Sequence, residues 1–196
     1  NLLDLWDLLA YVRAGNTDVR QFSKDATHVF LGQADLPNDD VGKIEKAIGR
    51  PLKDQEKTVQ LFAFYRIPET TGFTFVHDDL RERDKLQPKD VIGYATFFTL
   101  DDVAKLPVEV AIAIDRDFRI DDVQVRNIDG TVPKELSRAA AKYRGRGSDR
   151  FTFDIVAPGG AGDEVRALKQ PFGAAYLMFK AGAAAYEAEE MERFGL

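Results

Sequence analysis

The spacing of apolar and polar positions changes character twice along this chain. Near the start, Leu2, Leu5, Trp6 and Leu9 recur at helical spacing and predict an amphipathic helix over 2–14, stopped by Gly15-Asn16-Thr17. Val41, Ile44 and Ile48 predict a second helix over about Asp40–Ile48. Gly49-Arg50-Pro51 closes it, because glycine accepts the left-handed terminal position and proline cannot extend a helix. Between the two, Ala26–Leu31 reads as a short strand or a connecting segment. The middle then shifts to period two. Thr58–Arg66, Val91–Leu100, Val108–Asp115 and Ile120–Arg126 carry the β-branched and aromatic content of strands, and Asp115–Arg119 fits a hairpin between the last two. Val108, Val110, Ile112 and Ile114 share one strand face, while Ala111 and Ala113 leave room on the other for a helix or a flat ligand. Residues 67–90 are polar and turn-rich. In the last third, Pro133 starts a helix reaching about Tyr143, ended by Gly145 and Gly147. Phe151–Val156 predicts another short strand. Pro171 leads into a C-terminal helix whose Phe172, Tyr176, Phe179, Ala183 and Tyr186 line one broad apolar side.

These elements amount to an α+β fold, an antiparallel-rich sheet packed by helices. Residues 1–43 read as an N-terminal helical extension and 44–196 as the α+β domain. An apolar fraction of 44%, with 14 Phe and 6 Tyr, argues against disorder and supports a substantial core. The net charge of −6 argues against broad nucleic-acid binding, which needs a positive patch. The basic clusters at Arg81–Lys85 and Lys142–Arg150 are interspersed with acids and read as solvated surface or a local anion site. Absence of cysteine rules out disulfides, thiolate nucleophiles and thiolate metal sites. No apolar run reaches membrane-spanning length; Phe172–Phe179 ends at Lys180.

Candidate chemistry is sparse. His28 and His77 are the only imidazoles. His77-Asp78-Asp79 has the donors for a cation or for acid–base work, and equally reads as an exposed loop. His28 reads as a surface or cap residue. The acid pairs Asp39-Asp40, Asp101-Asp102 and Asp121-Asp122 lack calcium-loop spacing and read as helix starts and turns, so no metal site is predicted. Ser23, Ser137 and Ser148 have no nucleophile-elbow context. Neither a GxxxxGK phosphate loop nor a strand-linked dinucleotide fingerprint is present, which sets aside ATPase and Rossmann readings. The loop Ala157–Gly162 holds no ready nucleophile, but its glycines let backbone N–H groups approach a phosphate.

The order of segments adds a further reading. IEKAIGRPL at 44–52, TVQLFAFY at 58–65, VIGYATFF at 91–98 and VEVAIAIDRDFRIDDVQV at 108–125 are followed by KYRGRG at 142–147, FDIVAPGGAG at 153–162 and the helix at 171–186. In this order they resemble the FMN-binding domain shared by the Rnf/Nqr flavin subunits and related exported proteins, over roughly 44–186. In that family a Ser/Thr-Gly-Ala-Thr motif before the final helix carries FMN through a phosphoester bond on its last threonine. The matching tetrapeptide here is Gly159-Gly160-Ala161-Gly162, and Gly162 has no hydroxyl for that bond. The resemblance therefore implies noncovalent FMN, with Gly159, Gly160, Ala161 and Gly162 near its phosphate and Arg166 or Lys169 supplying charge. Tyr143 and Arg144 would border the isoalloxazine ring. On their own, the same residues read as a tight loop with solvated basic side chains.

The implied role is electron transfer or redox accessory work with a redox or assembly protein as partner. The implied location is periplasmic or otherwise extracytoplasmic, after removal of an N-terminal signal. Two alternatives stay open: a cofactor-free binding or assembly module on the same fold, and an enzyme using His77 with nearby acids.

Overall fold

The computed structural model describes Trp6 and residues 20–21, 26–66, 87–101, 107–156, 158 and 163–195. Six strands pair in chain order, each antiparallel to the next. They are β1 (Arg20–Gln21), β2 (Ala26–Asp35), β3 (Thr58–Arg66), β4 (Val91–Leu100), β5 (Val108–Asp115) and β6 (Ile120–Asn127). Three α-helices whose two ends both fall among the described residues accompany them: α1 (Asn38–Ile48), α2 (Lys134–Ala141) and α3 (Asp163–Phe194). This is an α+β fold, five long strands and a two-residue edge strand packed against helices. The predicted 2–14 helix lies outside the described residues except for Trp6, which is helical, and so does 67–86.

β5 shows how the pattern becomes packing. Val108, Val110, Ile112 and Ile114 face the main core with Phe172, Tyr176 and Phe179 of α3, all buried. Ala111 and Ala113 face the opposite side, where Phe62, Phe64 and Ala95 form a second cluster with Trp6 and Phe97 packed against it. Trp6 therefore sits on the small-residue face, with the Arg126 guanidinium 4.1 Å over its ring.

The hairpin forms at Asp115–Arg119. The Asp115 carboxylate accepts the N–H groups of Asp117 and Arg119, each at 2.9 Å. Phe118 takes φ 61, an uncommon conformation for a non-glycine residue. It is held there because its ring is buried against Tyr94 and its carbonyl accepts the Tyr176 hydroxyl at 2.5 Å. α1 ends as its sequence predicts: Gly49 is left-handed at φ 75 and donates its N–H to the Glu45 carbonyl. Position 43, expected as a domain edge, falls inside α1, and β2 pairs with β3 at nine positions.

Two expectations are corrected. The C-terminal helix does not begin at Pro171 but at Asp163, and Pro171 lies in its interior. An interior proline removes one backbone hydrogen bond and costs about 3 kcal/mol. Full burial of Leu168 before it and Phe172 after it offsets that loss. Phe151–Val156 is not a strand. It runs back along α3 as an irregular strap, with Arg150 donating to the Ala184 carbonyl, Thr152 beside Lys180 and Ile155 over Gly173. Its alternation suits a helix surface as well as a sheet, and an α-helix offers no free strand edge to pair with.

Candidate functional site

The sheet splits between β3 and β4. Their register runs only from Tyr65↔Val91 to Phe62↔Ala95. Beyond that point Thr58–Leu61 stays with β2 and Thr96–Leu100 stays with β5. Continued register would set Val59 opposite Phe98. Instead Val59 meets α3 at Gly182, while the Phe98 ring lies 6.2 Å from that of Phe172. Those contact points are ten residues apart on α3, a rise of about 15 Å, against about 5 Å between paired strands. Gly182 fixes the first contact closely, since a Cβ there would lie 2.3 Å from Val59 Cγ2.

The split leaves a cleft of about 500 Å³ with α3 as its floor. Ala174 and Ala175 keep that floor low, and Met178, Phe97 and Phe98 give apolar walls. Thr58, Gln60, Thr96, Thr99 and Gln33 add hydroxyl and amide groups. The last link before the strands part is the Thr96 hydroxyl, which donates to the Gln60 carbonyl at 2.5 Å.

One wall is built by the turn after α1. The Arg50 guanidinium forks onto Glu56, with Nη1–Oε2 at 2.8 Å and Nη2–Oε1 at 2.6 Å. The Lys53 N–H also donates to Glu56 Oε2, at 2.8 Å. The hydrogen bond from Arg50 holds the Glu56 carboxyl below its ordinary range, and Glu56 raises Arg50 in return. Leu52 N–H, held by Glu45 Oε1 at 2.9 Å, ties the turn back to α1. Arg50, Lys53 and Glu56 all line the cleft.

Of the residues singled out by the resemblance, Tyr143, Arg144 and Lys169 do not line this cleft. Tyr143 is buried, with its ring 4.1 Å from Phe172; burial pushes its hydroxyl up to about 12, and that hydroxyl has no hydrogen-bond partner among the described residues. It is part of the core rather than an open wall. Arg144 pairs with the buried Asp122 of β6. The Asp121-Asp122 pair is thus not a turn: it lies in β6, and Asp122 holds a guanidinium. Lys169 is exposed on α3, and the backbone of Arg166 lies in the same helix. Gly159, Gly160, Ala161, Gly162 and His77 fall outside the described residues, and for His28 only the β2 backbone is described. Asp39 and Asp40 do stand in the first turn of α1, where carboxylates suit the helix dipole. No group of metal-ligating side chains occurs among the described residues.

Sequence reading missed Lys180. Its side chain is fully buried on α3 and donates to Ser148 Oγ at 3.0 Å, to the Asp149 carbonyl at 3.0 Å and to the Thr152 carbonyl. Burial lowers its ammonium to about 8, against the pull of Asp149, Asp154 and Asp40. The three acceptors account for all three of its protons, so Lys180 clasps the strap to α3. A lone lysine inside the apolar run 172–185 was the available signal. Arg50, Lys53 and Glu56 gave none, since their pairing depends on a turn. Among the described residues no helix is long and apolar enough to cross a membrane. Comparisons with family models, curated proteins and solved structures return no match.

Proposed function

We propose that this domain is a noncovalent binding module whose ligand lies in the β3–β4 cleft, with FMN the expected ligand and redox accessory work the expected role. The cleft is the observation that supports the reading. Its volume lies within the roughly 300–1,000 Å³ of small-molecule sites, and it joins apolar walls to a few polar groups. Phe97, Phe98 and Met178 suit the faces of a flat ring system. Thr96, Thr99 and the strand edges freed by the split suit its imide and carbonyl groups. The position around Tyr143 and Arg144 fits a ring poorly, because both side chains are already engaged in the fold. Gly162 offers no hydroxyl for a phosphoester. A bound flavin would carry the electrons; the chain's own residues bind it, orient it and exclude water.

The cofactor-free binding or assembly module is the second reading, and the internal engagement of Tyr143 and Arg144 favours it. One experiment separates the two. The protein is incubated with FMN, free ligand is removed, and the absorption spectrum is recorded before and after denaturation. Trp6 is the sole tryptophan, 6.3 Å from the cleft-lining Phe97, so its fluorescence reports the same event. Retained flavin that quenches Trp6 and leaves on denaturation supports the flavin reading. No retained flavin at near-stoichiometric concentration sinks it and puts the cofactor-free module first.

A further inference from the structure

We propose that Glu56 occupies the seat of the ligand's anionic group, and that the cleft takes ligands ending in a phosphate or similar oxyanion. This rests on the cleft being the binding site. Three donors converge on the Glu56 carboxylate: the two Arg50 nitrogens and the Lys53 N–H. A guanidinium fork with a backbone N–H is also the donor set that holds phosphate oxygens. These donors stand on the cleft wall, which Arg50, Lys53 and Glu56 all line.

The seat is built to outlast departure of its carboxylate. Gly49 and Pro51 fix the turn, Leu52 N–H is bound by Glu45, and Arg50 Nη1 also donates to the Pro51 carbonyl at 3.0 Å. Glu56 itself comes from a three-residue 3₁₀ turn, Asp54–Glu56, and its side chain can rotate out without disturbing a long helix or a strand. With Glu56 displaced, the wall presents Arg50 and Lys53 to the cleft, with Asp101 the other acidic residue in its lining. Glu56 is then an internal competitor that keeps the seat satisfied until a phosphorylated ligand replaces it.

A plain structural staple and a competitor differ in the sign of one substitution. Affinities for FMN and for its unphosphorylated analogue riboflavin are measured for the wild type, Glu56→Gln, Arg50→Gln and Lys53→Gln. Amide NMR spectra check folding and follow a titration with inorganic phosphate. The wild type is expected to prefer FMN by roughly tenfold, the worth of one charge-assisted hydrogen bond. Glu56→Gln is expected to tighten FMN by roughly fivefold and leave riboflavin unchanged, while Arg50→Gln removes the preference. Lys53→Gln, at an exposed position outside the fork, lowers it by about threefold. Phosphate alone is expected to shift the Arg50 and Lys53 signals, and at lower concentration in Glu56→Gln.

Equal binding of FMN and riboflavin, with phosphate leaving those signals unmoved, overturns the seat while the cleft reading stands. Loss of FMN affinity in Glu56→Gln also overturns the seat, because a staple behaves that way. Phosphate shifts that sharpen in Glu56→Gln, with neither flavin bound, support the seat and reject flavin as the ligand.

Discussion

The two ends of β4 carry similar sequence character and meet different fates. At Gly93–Ala95 the strand is zipped to both neighbours, through Phe64↔Gly93 on one side and Gly93↔Asp115 on the other. At Thr96–Leu100 it stays with β5 alone. At the closed end Gly93 lets β4 and β5 approach closely, since a Cβ there would lie 2.3 Å from the Ile114 carbonyl oxygen. At the other end Phe98 stands on Phe172, while β3 is drawn to Gly182 further along α3. The closed end gives rigidity and the open end gives a cavity. A sheet can thus create a site by withholding one stretch of pairing, without a special loop.

The largest effect is expected at the closed end. Gly93→Ala forces β4 from β5 where backbone cannot yield, and should cost about 3 kcal/mol or more, read as a shift in urea midpoint. An unchanged midpoint would mean that the zipped end is not the rigid part.

Next comes the clasp that fixes the strap to the cleft's floor. Lys180→Met leaves Ser148 Oγ and two carbonyls without their donor, and should cost about 2 kcal/mol at pH 7. Its pH signature has a definite sign. With Lys180 held near 8 in the fold and 10.5 when free, the unfolded chain binds more protons between those values. Wild-type stability therefore gains as pH rises through about 8 to 10.5, by on the order of 1–3 kcal/mol, relative to the variant. Above pH 10 the buried Tyr143 acts the other way, because the unfolded phenol loses its proton first; that fall belongs to both proteins. A wild-type-minus-variant difference that is flat from pH 7 to 11 would show that the fold does not lower the Lys180 ammonium.

Sequence legibility followed the range of the interactions. The bounds of β4 and β5, the Asp115–Arg119 hairpin and the Gly49 stop depend on local pattern and turn chemistry, and each forms where its residues predict. The strap failed because Phe153 and Ile155 alternate as a strand would, yet alternation does not say whether an edge is free. Here the ammonium groups of Lys43 and Lys180 lie 5.0 and 5.2 Å from the centre of the Phe153 ring, and Ile155 meets Gly173. The cleft was illegible for a related reason: Thr58–Leu61 and Thr96–Leu100 both look like strands, and nothing local tells that they part. Tyr143 follows a polar helix end, and its aromatic ring joins the core at Phe172 through a long-range contact that its neighbours in sequence do not announce.

The smallest stability effects sit at the fork itself and beyond it, and they test what the split is for. Thr96→Val removes the hydroxyl that bridges to Gln60 with little change in volume, and should cost about 1 kcal/mol by urea denaturation. If the fork is only a packing defect, losing this bridge should leave the cavity and any binding untouched. Ala175→Phe makes the sharper cut. Ala175 lies on the cleft floor, with open volume above it, so a phenyl ring can enter the cavity in place of a ligand. Stability should change by less than about 1 kcal/mol, because the new ring meets apolar walls instead of a packed core. FMN affinity should fall at least tenfold, measured by Trp6 quenching and equilibrium dialysis. A variant that folds as well as the wild type and still binds FMN would place the ligand outside the split. Loss of binding with stability intact would tie it to the one stretch of β4 that the sheet leaves unpaired on the β3 side.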